Sequence, residues 1–279
     1  MTITGDGLTA VSGAAPSVLC RLWSGPAHYR FTAQLLGRHD VSYFSCADCG
    51  SLETEQPFWL DEAYSLNLGD LDCGSAQRNL HNFAACLAIA GLWGVRSAVD
   101  FGGGDGLLTR LLRDRHVDCH VEDKYGSPTY AQAFSDPPAN PDAIFAFEVF
   151  EHFVEPGAEI TALFARRPKI ILGTTARFTG QGADWWYLSR RNGHHVFFYT
   201  SSAMRHIAAR NGYRVIETGA FFLFVAANRY GPVKSLLSKL ALHAIVRRLV
   251  MALSAFIPAT GIGKDAASIQ ARRADTGLT

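Results

Sequence analysis

Apolar residues first recur at helical spacing at Leu80, Phe83, Leu87 and Leu92, which predicts a helix over Ser75–Trp93. Beyond it, short apolar runs alternate with helical patterns. Ser97–Phe101 reads as a buried strand, 107–113 as a helix and 117–122 as a second strand. Further strands are predicted at Ala143–Phe147 and 169–173, with a helix near 157–165 between them. Ser201–Arg210 reads as a helix stopped by Asn211-Gly212. Tyr213–Thr218 and Phe221–Ala226 then meet at Gly219 as a hairpin. Such alternation predicts an α/β sheet, mostly parallel, with crossover helices.

The rest of the chain is less regular. Residues 1–18 are small and polar, a loose lead-in. From Cys20 to about Tyr64 no period dominates, and the segment is expected to be irregular. Residues 176–199, with Asp184-Trp185-Trp186-Tyr187 and His194-His195, read as a long loop at the carboxyl edge of the sheet. Its aromatics either stack on an acceptor or pack on the core. Residues 233–257 form an amphipathic helix or pair of helices. There Lys234, Lys239, Arg247 and Arg248 flank Leu236, Leu237, Leu240, Ile245, Leu249 and Val250, with no acid from 231 to 260. This pattern suits a core cover, a dimer contact or a peripheral membrane contact. The last twenty or so residues are expected to be disordered.

Composition narrows the classes. The net charge of +1 provides no long-range field for nucleic acid or an anionic surface, so either would need a local patch. No basic stripe with interleaved aromatics lies on the predicted core, which argues against a nucleic-acid partner. No apolar run approaches the roughly 18 residues of a membrane span. The N-terminal residues carry no secretory pattern, and six cysteines without one suit the reducing cytoplasm.

The chemistry concentrates where the first sheet strand passes into a helix. Asp100-Phe101-Gly102-Gly103-Gly104-Asp105-Gly106 places an acid inside the strand and glycines in the bend. Glycines let the backbone approach a ligand, and the helix start offers free N–H groups. A nicotinamide fingerprint needs a third glycine at position 107, which is Leu107. The buried acid instead suits a donor carrying ammonium and sulfonium charges. The motif resembles motif I of class I S-adenosylmethionine-dependent methyltransferases, and the resemblance spans roughly residues 76–228. It implies a Rossmann-like, doubly wound, mostly parallel seven-stranded sheet with a C-terminal antiparallel hairpin. It also implies cofactor contacts from Asp100, Gly102, Gly104, Gly106 and Asp123, with Glu122 a neighbour able to take the last role. Asp142-Ala143-Ile144-Phe145-Ala146-Phe147-Glu148 resembles the strand that places Glu148 beside the methyl donor.

Glu148-Val149-Phe150-Glu151-His152 follows that strand. On a helical turn residues 148, 151 and 152 would share one face. With the later His194-His195 segment, the pattern is similar to small-RNA 3′-end 2′-O-methyltransferases and, in its first half, to ubiquinone-pathway O-methyltransferases. The first group implies Glu148, Glu151, His152 and His195 as ligands of a divalent ion such as Mg²⁺ or Mn²⁺. The metal-free reading makes His152 a general base, with His195 and Glu148 beside it.

Cys46-Ala47-Asp48-Cys49-Gly50 has the form of a zinc knuckle, and Cys20 is a candidate for a third ligand. His28, His39 and Cys73 are candidates for the fourth. The arrangement resembles the N-terminal zinc-binding flap of sugar-modifying methyltransferases. Three parts are therefore expected: a Cys-containing flap over 1–75, the cofactor-binding domain over 76–230 and a helical tail over 231–279. The function expected is methyl transfer from S-adenosylmethionine to a small-molecule or glycan hydroxyl. The alternatives are a non-catalytic zinc-bearing interaction module and an RNA 2′-O-methyltransferase.

Overall fold

The computed structural model describes residues 17–65 and 73–275. Its first part is not irregular: Ser17–Leu19 (β1), Pro26–Leu35 (β2), His39–Cys46 (β3) and Leu52–Thr54 (β4) form an antiparallel sheet. Strand β2 buries only Ala27, Ala33 and Leu35, and a bulge between Tyr29 and Phe31 breaks its register with β3. The sequence itself keeps a period of two, with Ala27, Tyr29, Phe31, Ala33 and Leu35 alternating with His28, Arg30, Thr32 and Gln34, so the expectation of an irregular segment overlooks a legible strand. The two-residue strand Phe197–Phe198, from the loop predicted over 176–199, adds to β4 and closes this sheet as its fifth strand.

Helix Leu60–Ser65 (α1) follows the flap, and Ser75–Trp93 (α2) leads into the second sheet. The αL residue Gly94 ends α2 at φ 60°. The order then runs Ser97–Phe101 (β5), Leu107–Asp114 (α3), Asp118–Glu122 (β6), Ala143–Phe147 (β7), Pro156–Ala165 (α4) and Ile170–Thr174 (β8). Taking Phe197–Phe198 as β9, the rest is Ser201–Arg210 (α5), Tyr213–Thr218 (β10) and Phe221–Ala226 (β11). Thr200 caps α5 by accepting the Ala203 N–H. The sheet order is β10-β11-β8-β7-β5-β6, with β5–β8 parallel and β11 and β10 antiparallel at one edge.

The α/β class and the C-terminal hairpin are those the sequence predicts. The described sheet has six strands rather than seven. The chain between β6 and β7 carries Pro128, Pro137, Pro138 and Pro141, none of which can donate to a ladder, and it runs irregularly past the β6 edge.

The tail forms Pro232–Leu242 (α6), Ala244–Ser254 (α7) and Gly261–Asp275 (α8). The expected helix pair is present. The expected disorder after it is replaced, up to residue 275, by a helix. The nearly buried Asp265 of α8 pairs with Arg110 at 2.7 Å and Arg113 at 2.8 Å, both on α3. A two-arginine clamp on one buried carboxylate holds a helix that composition alone would leave free.

Candidate active site

The glycine bend follows β5 at the carboxyl edge of the parallel strands. Gly102, Gly104 and Gly106 take φ of 72°, 56° and 78°, left-handed values that side chains resist. Gly103 is required for another reason: a Cβ there would sit 2.6 Å from Asp100 Oδ2. Asp100 is therefore the floor of the bend, 3% exposed, and it accepts a 3.1 Å hydrogen bond from Thr109 Oγ1 of α3. Burial pushes its carboxyl up to about 7, against the Thr109 hydroxyl, which favours the charged form. A Cβ at Gly104 would point into open space, so that face of the bend is open to a ligand.

Asp123 lies directly beyond β6 and folds back on the bend. Its Oδ2 accepts the Gly104 N–H at 2.8 Å, and its Oδ1 accepts the N–H groups of Tyr125 and Gly126. Glu122 is engaged elsewhere, by Arg166 at 2.8 Å. A cleft of ≈ 500 Å³ adjoins Asp123, lined also by Ser127, Pro128, Thr129 and Gln132.

The carboxylate–histidine segment leaves β7 on the same edge. Glu148 stands at φ 53°, a strained value for a side-chain-bearing residue, and Phe150–His152 make a 3-10 turn instead of an α-helical one. The two carboxylates nevertheless converge on one phenol, that of Tyr187. Glu148 Oε1 accepts the Thr174 hydroxyl at 2.6 Å and its Oε2 faces the Tyr187 hydroxyl at 3.1 Å. Glu151 is fully buried, accepts the same phenol at 2.6 Å through Oε1, and keeps Oε2 without a hydrogen-bond partner. Burial, reinforced by the Glu148 charge, pushes the Glu151 carboxyl well above the usual range.

The ligand atoms of Glu151, His152 and His195 lie within 4.8 Å of one another, and Glu148 stands outside that group. His195 Nδ1 donates to the Tyr187 carbonyl at 2.7 Å, which leaves Nε2 with its lone pair. Burial lowers His195 to about 4 and His152 well below its ordinary value, so both rings are neutral near neutral pH. The orphaned Glu151 oxygen and two neutral imidazoles make a donor set fit for a divalent cation.

A short lid covers this group. Tyr64 of α1 stacks between Tyr125, at 4.2 Å, and His194, at 4.6 Å. The Tyr64 hydroxyl approaches His152 Nδ1 at 3.5 Å, and His194 Nε2 donates to the Ala63 carbonyl at 2.9 Å. In the aromatic loop, Trp185 packs against Phe178, Tyr187 and Phe198, whereas Trp186 is 77% exposed. Of the two roles open to that loop, Trp185 therefore packs and Trp186 is free to meet a ligand. Tyr187, Tyr64 and Tyr125 are site residues that spacing alone does not single out. The only sequence signal for Tyr187 is its place in the aromatic loop.

The third assembly is in the flap. Cys20, Cys46 and Cys49 are buried, with sulfurs within 4.8 Å of one another. None of the expected fourth ligands joins them: His28 is exposed, His39 pairs with Glu62 at 3.0 Å, and Cys73 is exposed. A hydrogen bond from the Cys20 thiol holds Cys49 down at about 6. Arg21, beside Cys20, bridges flap and active site. It donates to Glu53 Oε2 at 2.9 Å and to the carbonyls of Val154 at 3.1 Å, Thr54 at 3.1 Å and Val196 at 2.7 Å. Val196 follows His195, and its N–H donates to the Glu151 carbonyl at 2.8 Å.

A family model described as a methyltransferase domain matches residues 76–218. No curated protein matches the sequence. Solved structures similar to this chain include a Burkholderia thailandensis 1,6-didemethyltoxoflavin-N1-methyltransferase with bound S-adenosylhomocysteine, at 11% identity and TM-score 0.46, over 70% of this chain and 97% of that one. Another is an O-methyltransferase from neocarzinostatin biosynthesis, at 18% identity and TM-score 0.40, over 61% of each chain. A third is the magnesium protoporphyrin IX methyltransferase of Synechocystis, at 16% identity and TM-score 0.40, over 61% of this chain and 95% of that one.

Proposed function

Because the chain belongs to the methyltransferase-domain family through residues 76–218, we propose that it transfers a methyl group from S-adenosylmethionine to a hydroxyl of a small-molecule or glycan acceptor. The supporting observation is the adjacency of two assemblies on one sheet edge. The open glycine bend follows β5, Glu151 and His152 follow its neighbour β7, and His195 joins them from the loop between β8 and β9. When bound, S-adenosylmethionine supplies an electrophilic methyl group on a positively charged sulfur.

The chain's own residues fit that donor. Gly104 offers bare backbone, Gly102 lets the bend pass Val149, whose Cγ2 a Cβ there would meet at 2.5 Å, Asp100 supplies negative charge beneath, and Asp123 keeps acceptor capacity on Oδ2 for ribose hydroxyls. On the acceptor side, a neutral His152 or His195 Nε2 takes the hydroxyl proton as it develops. A divalent cation held by Glu151, His152 and His195 would lower the hydroxyl pKa at the same place. Two nitrogens and one carboxylate suit Mn²⁺ or Zn²⁺ better than Mg²⁺, which prefers oxygen ligands. The lid of Tyr64 and Tyr125 excludes water from this region. In the flap we assign zinc to Cys20, Cys46 and Cys49, a use of cysteine that suits a reducing compartment such as the cytoplasm.

Thermal-shift titration tests the donor. The expected result is a rise in Tm with S-adenosylmethionine and S-adenosylhomocysteine and none with NAD. No shift with either would reject the reading and favour a non-catalytic scaffold. Donor labelled in its methyl group, offered with hydroxyl-bearing and amine-bearing acceptors, tests the acceptor class. Label recovered only on amines would reject the hydroxyl assignment.

A further inference from the structure

Helices α6 and α7 are amphipathic in the reverse sense to a core-covering helix. On α6 the buried positions are Ser235, Ser238 and Leu242, and Ser238 accepts the Trp93 indole N–H of α2 at 3.1 Å. Leu236 and Leu240 turn outward, 60% and 51% exposed. On α7 the buried residue is Ser254, while Ile245, Leu249 and Leu253 are each more than half exposed at i, i+4 and i+8. Phe256, in the turn that follows, is 84% exposed. A soluble helix places its apolar stripe on the core, and a contiguous outward stripe marks a contact surface.

Charge decides what that surface meets. Lys239 and Arg248 are exposed on these two helices, and neither α6, α7 nor the supporting α2 contains an acid. Lys234 and Arg247 lean inward over Trp93 and Phe221. A two-fold contact with a second copy would bring two basic faces together with no acid on α6 or α7 to pair with Lys239 or Arg248, which costs energy. An anionic bilayer offers both complements, hydrocarbon for the leucines and phosphate for the cations. No helix among the described residues is long and apolar enough to cross a membrane, so the contact lies in the plane of the interface.

We propose that the outward face of α6–α7, with Phe256, binds the surface of an anionic lipid bilayer. The inference is independent of methyl transfer, and it rests on the face alone.

Flotation of the full chain with vesicles tests it. The probes are phosphatidylcholine vesicles with and without phosphatidylglycerol. The chain is expected to float with the anionic vesicles, far less with the neutral ones, and to detach in high salt. Leu236→Ser with Leu249→Ser should lower partitioning on the order of tenfold or more. Lys239→Gln with Arg248→Gln should lower it about fivefold per charge. All four side chains face outward, so Tm should be unchanged, and a folded variant with unchanged partitioning would overturn the proposal. So would a chain that stays out of both vesicle fractions. A dimer in sedimentation equilibrium, dissolved by the leucine substitutions and indifferent to vesicles, would replace the bilayer with a second copy.

Discussion

The Tyr187 hydroxyl lies 2.6 Å from Oε1 of Glu151 and 3.1 Å from Oε2 of Glu148, so one phenol hydrogen serves two carboxylates in a buried pocket. The shorter bond goes to Glu151, whose other oxygen has no partner. Tyr187→Phe removes that hydrogen without opening a large cavity. Stability should fall by about 1–3 kcal/mol, the cost of an unsatisfied buried acceptor. Methyl transfer should fall further than donor affinity, because Tyr187 touches the acceptor-side group and not the glycine bend. Urea unfolding, donor titration and initial rates measure the three quantities. Equal losses in donor affinity and rate would reject the assignment of Tyr187 to the acceptor side.

Arg21 is the second test. Its side chain is 10% exposed and pairs with Glu53, which is 1% exposed, while its other nitrogens hold Val154, Thr54 and Val196. Arg21→Met leaves the Glu53 carboxylate buried without its cation, at a cost of about 3–5 kcal/mol. Arg21→Lys should recover only part, because a single ammonium cannot span three carbonyls. An unfolding free energy from urea in Arg21→Met within about 1 kcal/mol of the parent would show that Glu53 does not depend on Arg21.

These two residues illustrate what sequence makes legible. The glycine bend is contiguous, so Asp100 to Gly106 can be read as one unit, and the structure keeps it as one. Asp123 lies next to that bend because a βαβ unit returns its second strand beside the first. Arg21 gave no signal, since its partners at 53, 154 and 196 meet only through tertiary packing. Glu148 gave a partial one: its spacing places it with Glu151, and the two carboxylates do meet on the Tyr187 hydroxyl, while the positive φ at Glu148 also takes its Oε1 to Thr174. The alternation of β2 was there to be read, whereas α8 is held to α3 by an ion-pair clamp that leaves no periodic trace.

Asp100 sets a pH dependence whose sign is fixed by its environment. Its pKa rises from 3.8 unfolded to about 7 folded because burial penalises the carboxylate. The folded state therefore binds the proton more tightly, and the apo protein should lose stability as pH climbs from about 4 through about 7. A cationic donor favours the carboxylate, so donor binding should release this proton below pH 7. Affinity should fall about tenfold from roughly pH 8 to roughly pH 6. Asp100→Asn should raise apo Tm at neutral pH, weaken donor binding and flatten its pH profile. Calorimetric titration in buffers of different ionisation enthalpy counts the proton. A steep profile surviving in Asp100→Asn would assign the dependence to another group.

The cysteine cluster carries the last prediction. Cys49, held at about 6, is a thiolate near neutral pH, and Cys20 and Cys46 have their sulfurs within 4.8 Å. Three converging thiols in a buried turn suit Zn²⁺ at about 2.3 Å from each sulfur. Purified protein should carry zinc, and Cys46→Ser should lose that metal while keeping any ion bound at Glu151, His152 and His195. His195→Gln should do the reverse, so elemental analysis of the two variants separates the sites. Chelation of the flap metal should also lower the rate of methyl transfer, because Arg21, next to Cys20, holds the carbonyl of Val196, next to His195. Less than about a tenth of an equivalent of zinc in the parent chain would reject the flap assignment. Zinc lost with an unchanged rate would show that the Arg21 bridge keeps its geometry without the metal.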